Sequence, residues 1–122
     1  MDYFIWSKVA KERNKNSSKH EPIQPFLFLS FIEFGNVETV IDIGANVGLY
    51  SLVSSLAPQV ECIMAFEPDN GSRKELERNI YLNSLENRIK AYSSVVSSST
   101  KMVEFGTHSP LSGINGVVNT SI

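Results

Sequence analysis

The chain has 122 residues, eleven basic against thirteen acidic, for a formal charge of −2, and 42% of them are hydrophobic. That is the composition of one soluble globular domain, able to bury roughly two-thirds of the surface its unfolded chain exposes. The balanced charge offers no basic field for a phosphate backbone, so nucleic acid is not an expected partner.

The first 36 residues read as an N-terminal helical cover and linker. Tyr3, Phe4, Trp6, Val9 and Ala10 line one side of a short helix, and the polar stretch from Lys11 to Glu21, with His20, reads as a linker. No signal-peptide pattern opens the chain. Pro22 and Pro25 precede the apolar segment Phe26 to Phe34, which reads as a buried helix stopped by Gly35 and Asn36. That segment is nine residues long and holds Ser30 and Glu33, short of the roughly twenty needed to cross a bilayer. No membrane partner is expected. One cysteine, Cys62, excludes an internal disulfide and fits a reducing cytoplasmic location.

Residues 37–122 change character. Thr39 to Ile43 is a β-branched run with the composition of a strand buried on both faces. Leu49, Leu52, Val53 and Leu56 then fall at helical spacing and end before Pro58. Val60 to Phe66 predicts a second buried strand, and Asp69 or Asn70 caps a helix running to about Leu85, with Leu76 and Ile80 inward. Ile89 to Val96 predicts a third strand. This order gives an α/β fold, a mostly parallel, Rossmann-like sheet with helices on both faces. Six of the eight residues from Ser93 to Thr100 are Ser or Thr; after them Met102, Val103 and Phe105 suggest a further short, antiparallel strand, and residues 106–122 an irregular loop.

The chemistry concentrates in Asp42-Ile-Gly44-Ala45-Asn46-Val-Gly48, at a strand-to-helix junction. Glycines suit so tight a turn because a side chain would block the backbone or a ligand's approach, and the N–H groups of the following helix favour an anionic group. A turn of this kind also serves merely to pack helix on strand. Glu67 leaves the second strand nineteen positions after Gly48, where a carboxylate accepts hydrogen bonds from ribose hydroxyls; the plainer reading is a solvated carboxylate closing a strand. Pro68 would present an apolar edge to a base. Asn46 replaces the middle glycine of a dinucleotide fingerprint and would crowd a pyrophosphate. A nucleoside with an amino-acid tail fits better, its carboxylate at the helix N-terminus and its ammonium near Asp42.

The segments Val40 to Tyr50, Ala65-Phe66-Glu67-Pro68 and Asn79-Ile80-Tyr81-Leu82-Asn83 together resemble the FkbM family of S-adenosylmethionine-dependent methyltransferases, over about Val37 to Val103. The resemblance implies a class I methyltransferase fold, S-adenosylmethionine as cofactor, and O-methylation of a small molecule or sugar. Carried over, it places Asp42, Gly44, Ala45, Asn46 and Gly48 at the methionine end, Glu67 and Pro68 at the nucleoside, and Ser94 near the adenine, where many class I enzymes have an acidic residue. No catalytic residue is identified. It also implies that residues 37–122 are the cofactor-binding half of a domain that stops after three parallel strands and a hairpin. A half-domain of that kind would be part of a longer or split enzyme, or a short form that binds without turnover; a nucleotide-binding regulatory module is a further alternative. An open sheet edge would favour a homo-oligomer or a protein partner.

Other candidates have plainer readings. Asn79 and Asn83, one helical turn apart, read as inward polar residues fixing their helix. His108 could be a base or a loop histidine, Cys62 a small core residue, and Tyr50 a cofactor contact or a surface tyrosine. No metal-binding cluster is expected.

Overall fold

In a computed structural model, which describes residues 23–106 and 116–117, the chain forms helix α1 (Gln24–Phe34), strand β1 (Thr39–Ile43), helix α2 (Leu49–Ser54), strand β2 (Cys62–Phe66), helix α3 (Asn70–Leu82), strand β3 (Ile89–Tyr92) and the short strands β4 (Phe105–Gly106) and β5 (Gly116–Val117). The helix expected over Tyr3 to Ala10, His20 and His108 lie outside the described residues. Strands β1, β2 and β3 pair in that order, all parallel, with Asp42 opposite Ala65 and Ala65 opposite Ala91. β4 and β5 form a separate antiparallel pair.

This topology explains a departure from the expected burial. Each step from β1 to β2 to β3 goes the same way, so right-handed crossovers bring α2 and α3 onto the same side. Val40, Ile63, Ala65 and Ile89 face that side and are buried with Leu52, Leu76 and Ile80. On the opposite face Ile41 and Ile43 are 57% and 62% exposed. β1 is therefore buried on one face, not on two. Where helices were expected on both faces, the described residues place them on one. Cys62, half-buried, belongs to the thinly covered face rather than to the core.

α1 is a helix as expected, yet among its described side chains only Ile32 is buried; Phe26, Phe31 and Phe34 are 73%, 77% and 91% exposed. An evenly apolar helix has no solvent side of its own, and here a neighbour covers one flank only. That neighbour is α2. The Phe28 ring meets Tyr50 edge-on at 5.1 Å, and the Tyr50 hydroxyl donates to Gln24 Oε1 at 3.3 Å. Tyr50 thus anchors α1. The helix ends on Asn36, which takes the left-handed conformation (φ 51°) in place of Gly35.

α3 begins where Asp69 Oδ2 accepts from the Ser72 N–H at 2.8 Å, a side-chain cap. It stops at Leu82, short of Leu85: Ser84 turns left-handed (φ 54°), and the Leu85 N–H reaches back to the Ile80 carbonyl. β3 ends at Tyr92 rather than Val96. Tyr92 O accepts from the Glu67 N–H at 2.9 Å, and the next N–H that would face β3, on Asp69, is turned to Glu67 Oε1 at 2.8 Å, so the ladder stops there. Arg88, which the sequence pattern did not single out, ties the loops beneath the sheet: its guanidinium donates to the carbonyls of Ser55, Ala57 and Val60 at 2.7–3.1 Å.

Candidate cofactor site

Parallel strands β1 and β2 end side by side, and the turns leaving them form a crevice. At β1 the chain reverses through three left-handed residues, Gly44 (φ 77°), Asn46 (φ 53°) and Gly48 (φ 93°). Asparagine tolerates that region better than most side chains do. The N–H groups of Gly44 and Ala45 donate to Phe66 O at 2.9 and 3.0 Å, so the turn is an extension of the β1–β2 ladder. The two glycines serve different ends. A Cβ on Gly44 would meet nothing within 4 Å, whereas one on Gly48 would lie 2.5 Å from Leu76 Cδ1. Gly48 lets α3 pack against the turn; Gly44 keeps the crevice open.

Glu67, 7% exposed, joins the two turns. Its Oε2 accepts from the Asn46 N–H and its Oε1 from the Asp69 N–H, both at 2.8 Å. Each oxygen has a second lone pair, and Glu67 still borders the crevice. The Arg73 guanidinium donates to the carbonyls of Glu67 and Pro68 at 3.2 Å, fixing the second turn.

The crevice holds about 240 Å³, less than the roughly 300 Å³ at which ligand pockets usually begin and suited to one portion of a cofactor. Of the residues singled out from the sequence, Gly44, Asn46, Glu67, Pro68 and Ser94 line it. Ile43, Phe66, Val95, Val96 and Phe105 supply an apolar wall that the sequence reading missed. Phe66 stacks on Tyr92 at 4.9 Å. Val95 and Val96 were masked by the serines around them, and Phe105 was visible only as a strand residue.

Asp42, Ala45 and Gly48 are not part of that lining. Ala45 and Gly48 are buried behind it. Asp42 is directed to α2, where its carboxylate accepts from Ser51 Oγ at 2.6 Å and from the Ser51 N–H. The start of α2 is thus already faced by a carboxylate. Burial pushes the Asp42 carboxyl above its ordinary 3.8, although the Ser51 hydrogen bonds oppose the shift. A carboxyl raised in the folded state binds its proton more tightly there than in the unfolded chain. Relative to Asp42→Asn, the wild-type protein should therefore gain stability as pH falls from 7 through the raised value, the gain being complete below about 3.8. Urea unfolding across that range checks the sign; a difference independent of pH would count against it.

Two asparagines have distinct roles. Asn79, 1% exposed, donates through Nδ2 to the Val47 carbonyl at 2.8 Å, while Asn83 donates to Asn79 O within its own helix end. Asn46 Oδ1 is buried with no hydrogen-bond partner among the described residues. Among those residues no group of His, Cys, Asp and Glu is placed to hold a metal ion, and no helix is long and apolar enough to cross a membrane.

No protein-family model and no curated protein matches this sequence. Solved structures do. A methyltransferase from Geobacter sulfurreducens is similar over 78% of this chain and 50% of its own, with a TM-score of 0.62 and 15% identity. P. horikoshii TYW2 in complex with MeSAdo is similar over 65% of this chain and 31% of its own, with a TM-score of 0.53 and 26% identity. The likeness shows the Rossmann-like α/β fold of these methyltransferases. The chain spans between about a third and a half of the length of these two structures.

Proposed function

We propose that the chain binds S-adenosylmethionine and forms the cofactor-binding part of a methyltransferase. The observation that carries this reading is the joined turn: Glu67 holds the Asn46 N–H while bordering the same crevice as Gly44, Pro68 and Ser94. The residues fit a nucleoside with a short tail. The Glu67 carboxylate retains acceptor capacity for ribose hydroxyls, the apolar wall suits a base, and Gly44 leaves room where a side chain would intrude. Asn46 Oδ1, buried and without a hydrogen-bond partner among the described residues, is a costly arrangement that a donor on the ligand would relieve. TYW2, solved with MeSAdo, supports the same choice.

The bound sulfonium would supply the methyl group. The protein's own residues would align it and exclude water. Following the FkbM resemblance, we assign the acceptor as a hydroxyl of a small molecule or sugar; following the single cysteine, Cys62, we assign the compartment as the reducing cytoplasm. Calorimetry with S-adenosylhomocysteine tests the cofactor: saturable binding is expected, and binding of NAD or ATP with no response to S-adenosylhomocysteine would overturn the reading.

A second reading concerns completeness. Ile41, Ile43 and Tyr92 stand exposed on the sheet face that the helices leave bare, an arrangement suited to further polypeptide covering that face, whether from the same protein or from a partner. On that reading the chain alone binds cofactor without turnover on pooled alcohols and sugars.

A further inference from the structure

Asn79 is an expensive residue to bury, since an amide removed from water needs partners of its own. It lies on the inner face of α3, three residues after Leu76, among the buried residues Ser72, Leu76 and Ile80. Its Nδ2 reaches a carbonyl 32 residues away in sequence, that of Val47. Val47 stands between two left-handed residues, Asn46 and Gly48. In such a sequence of dihedrals the peptide planes are set by whatever grips them. The Val47 carbonyl belongs to the peptide whose N–H, on Gly48, donates to Ala45 O at 2.8 Å. The N–H two residues earlier, on Asn46, is held by Glu67.

α3 therefore holds the turn twice. At its start, the Asp69 N–H and the Asn46 N–H share the Glu67 carboxylate. Ten residues further along, Asn79 holds the Val47 carbonyl. Between them Leu76 fills the space a side chain at Gly48 would need. We propose that Asn79 is a positioning residue, setting the peptide planes of the Asn46 to Gly48 turn so that Asn46 faces the cofactor. The inference rests on the S-adenosylmethionine reading above, and it adds a residue that does not itself line the crevice.

The test uses Asn79→Leu, which keeps bulk but loses the donor, and Asn79→Asp, whose carboxyl donates to a carbonyl only when protonated. S-adenosylhomocysteine affinity is measured by calorimetry from pH 5 to 8 on protein shown to be folded by its melting curve, and amide resonances of Asn46, Val47 and Gly48 are followed by NMR. Asn79→Leu is expected to bind about tenfold or more weakly and to shift those resonances. Asn79→Asp is expected to bind weakly at pH 8 and to recover toward wild type as pH falls; the wild-type profile over the same range accounts for titration of Asp42. A residue that only packed α3 would alter melting without this pH-dependent recovery. Folded variants with wild-type affinity at every pH and unmoved turn resonances overturn the proposal. If Asn79→Leu does not fold, the Asn79→Asp profile and resonances decide. If wild type itself fails to bind S-adenosylhomocysteine, the cofactor reading falls, and the turn resonances still report whether Asn79 sets the turn.

Discussion

Glu67→Ala is expected to abolish measurable binding of S-adenosylhomocysteine and to lower the melting temperature by roughly 10 °C or more. Two effects combine. The first is loss of the acceptor proposed for the ribose hydroxyls. The second follows from the hydrogen bonds the carboxylate already makes: alanine strands the N–H groups of Asn46 and Asp69, both now bonded at 2.8 Å. A buried donor without a partner costs about 1–3 kcal/mol. Glu67→Gln keeps one oxygen but sets an amide N–H₂ against the other donor, so it should fall between alanine and wild type in both measurements. Calorimetry and thermal unfolding on the same samples check this. A Glu67→Ala protein that melts like wild type would show that the two turns are held without it.

The second large effect separates the two glycines. Gly48→Ala forces a β-carbon into a left-handed residue, costing about 1–2 kcal/mol, and drives it to 2.5 Å from Leu76 Cδ1, where overpacking adds about 1–3 kcal/mol. A clear loss of stability is expected. Gly44→Ala carries the same left-handed cost at φ 77° but meets no atom within 4 Å. Its methyl group would stand in the space that the crevice offers a ligand. Gly44→Ala should therefore weaken S-adenosylhomocysteine binding at least tenfold while losing only the left-handed cost in stability, roughly 3–10 °C in melting temperature and less than Gly48→Ala loses. Loss of binding in both variants in proportion to their loss of stability would mean that Gly44 shapes only the backbone.

Much of this architecture was legible in residue order because its causes are local. The β-branched run at Thr39 to Ile43 forms a strand with those bounds. Asp69 caps α3 because a carboxylate three residues before a free N–H needs no help from elsewhere. The glycines and Asn46 mark a left-handed turn because few other residues accept such dihedrals. Glu67 was legible, by its spacing from that turn, as a carboxylate standing beside it.

Other features depend on which elements meet, and no local pattern encodes that. The exposure of Ile41 and Ile43 follows from both crossovers stepping the same way, whereas the composition of β1 suits burial on two faces. α1 reads as buried from its uniform apolarity, but burial belongs to its neighbour: α2 reaches one flank and leaves Phe34 bare. Asp42, placed by its motif near a ligand, is drawn instead to Ser51 because α2 folds back over that face. Asn79 and Arg88 are ordinary polar residues until the chain brings Val47 beside one, and the carbonyls of Ser55, Ala57 and Val60 beside the other. Hydrogen bonds across some thirty residues form only once the sheet has fixed their geometry. Elements and turn chemistry are thus properties of short stretches of residues, while burial, carboxylate partners and the grip on the turn arise from long-range packing.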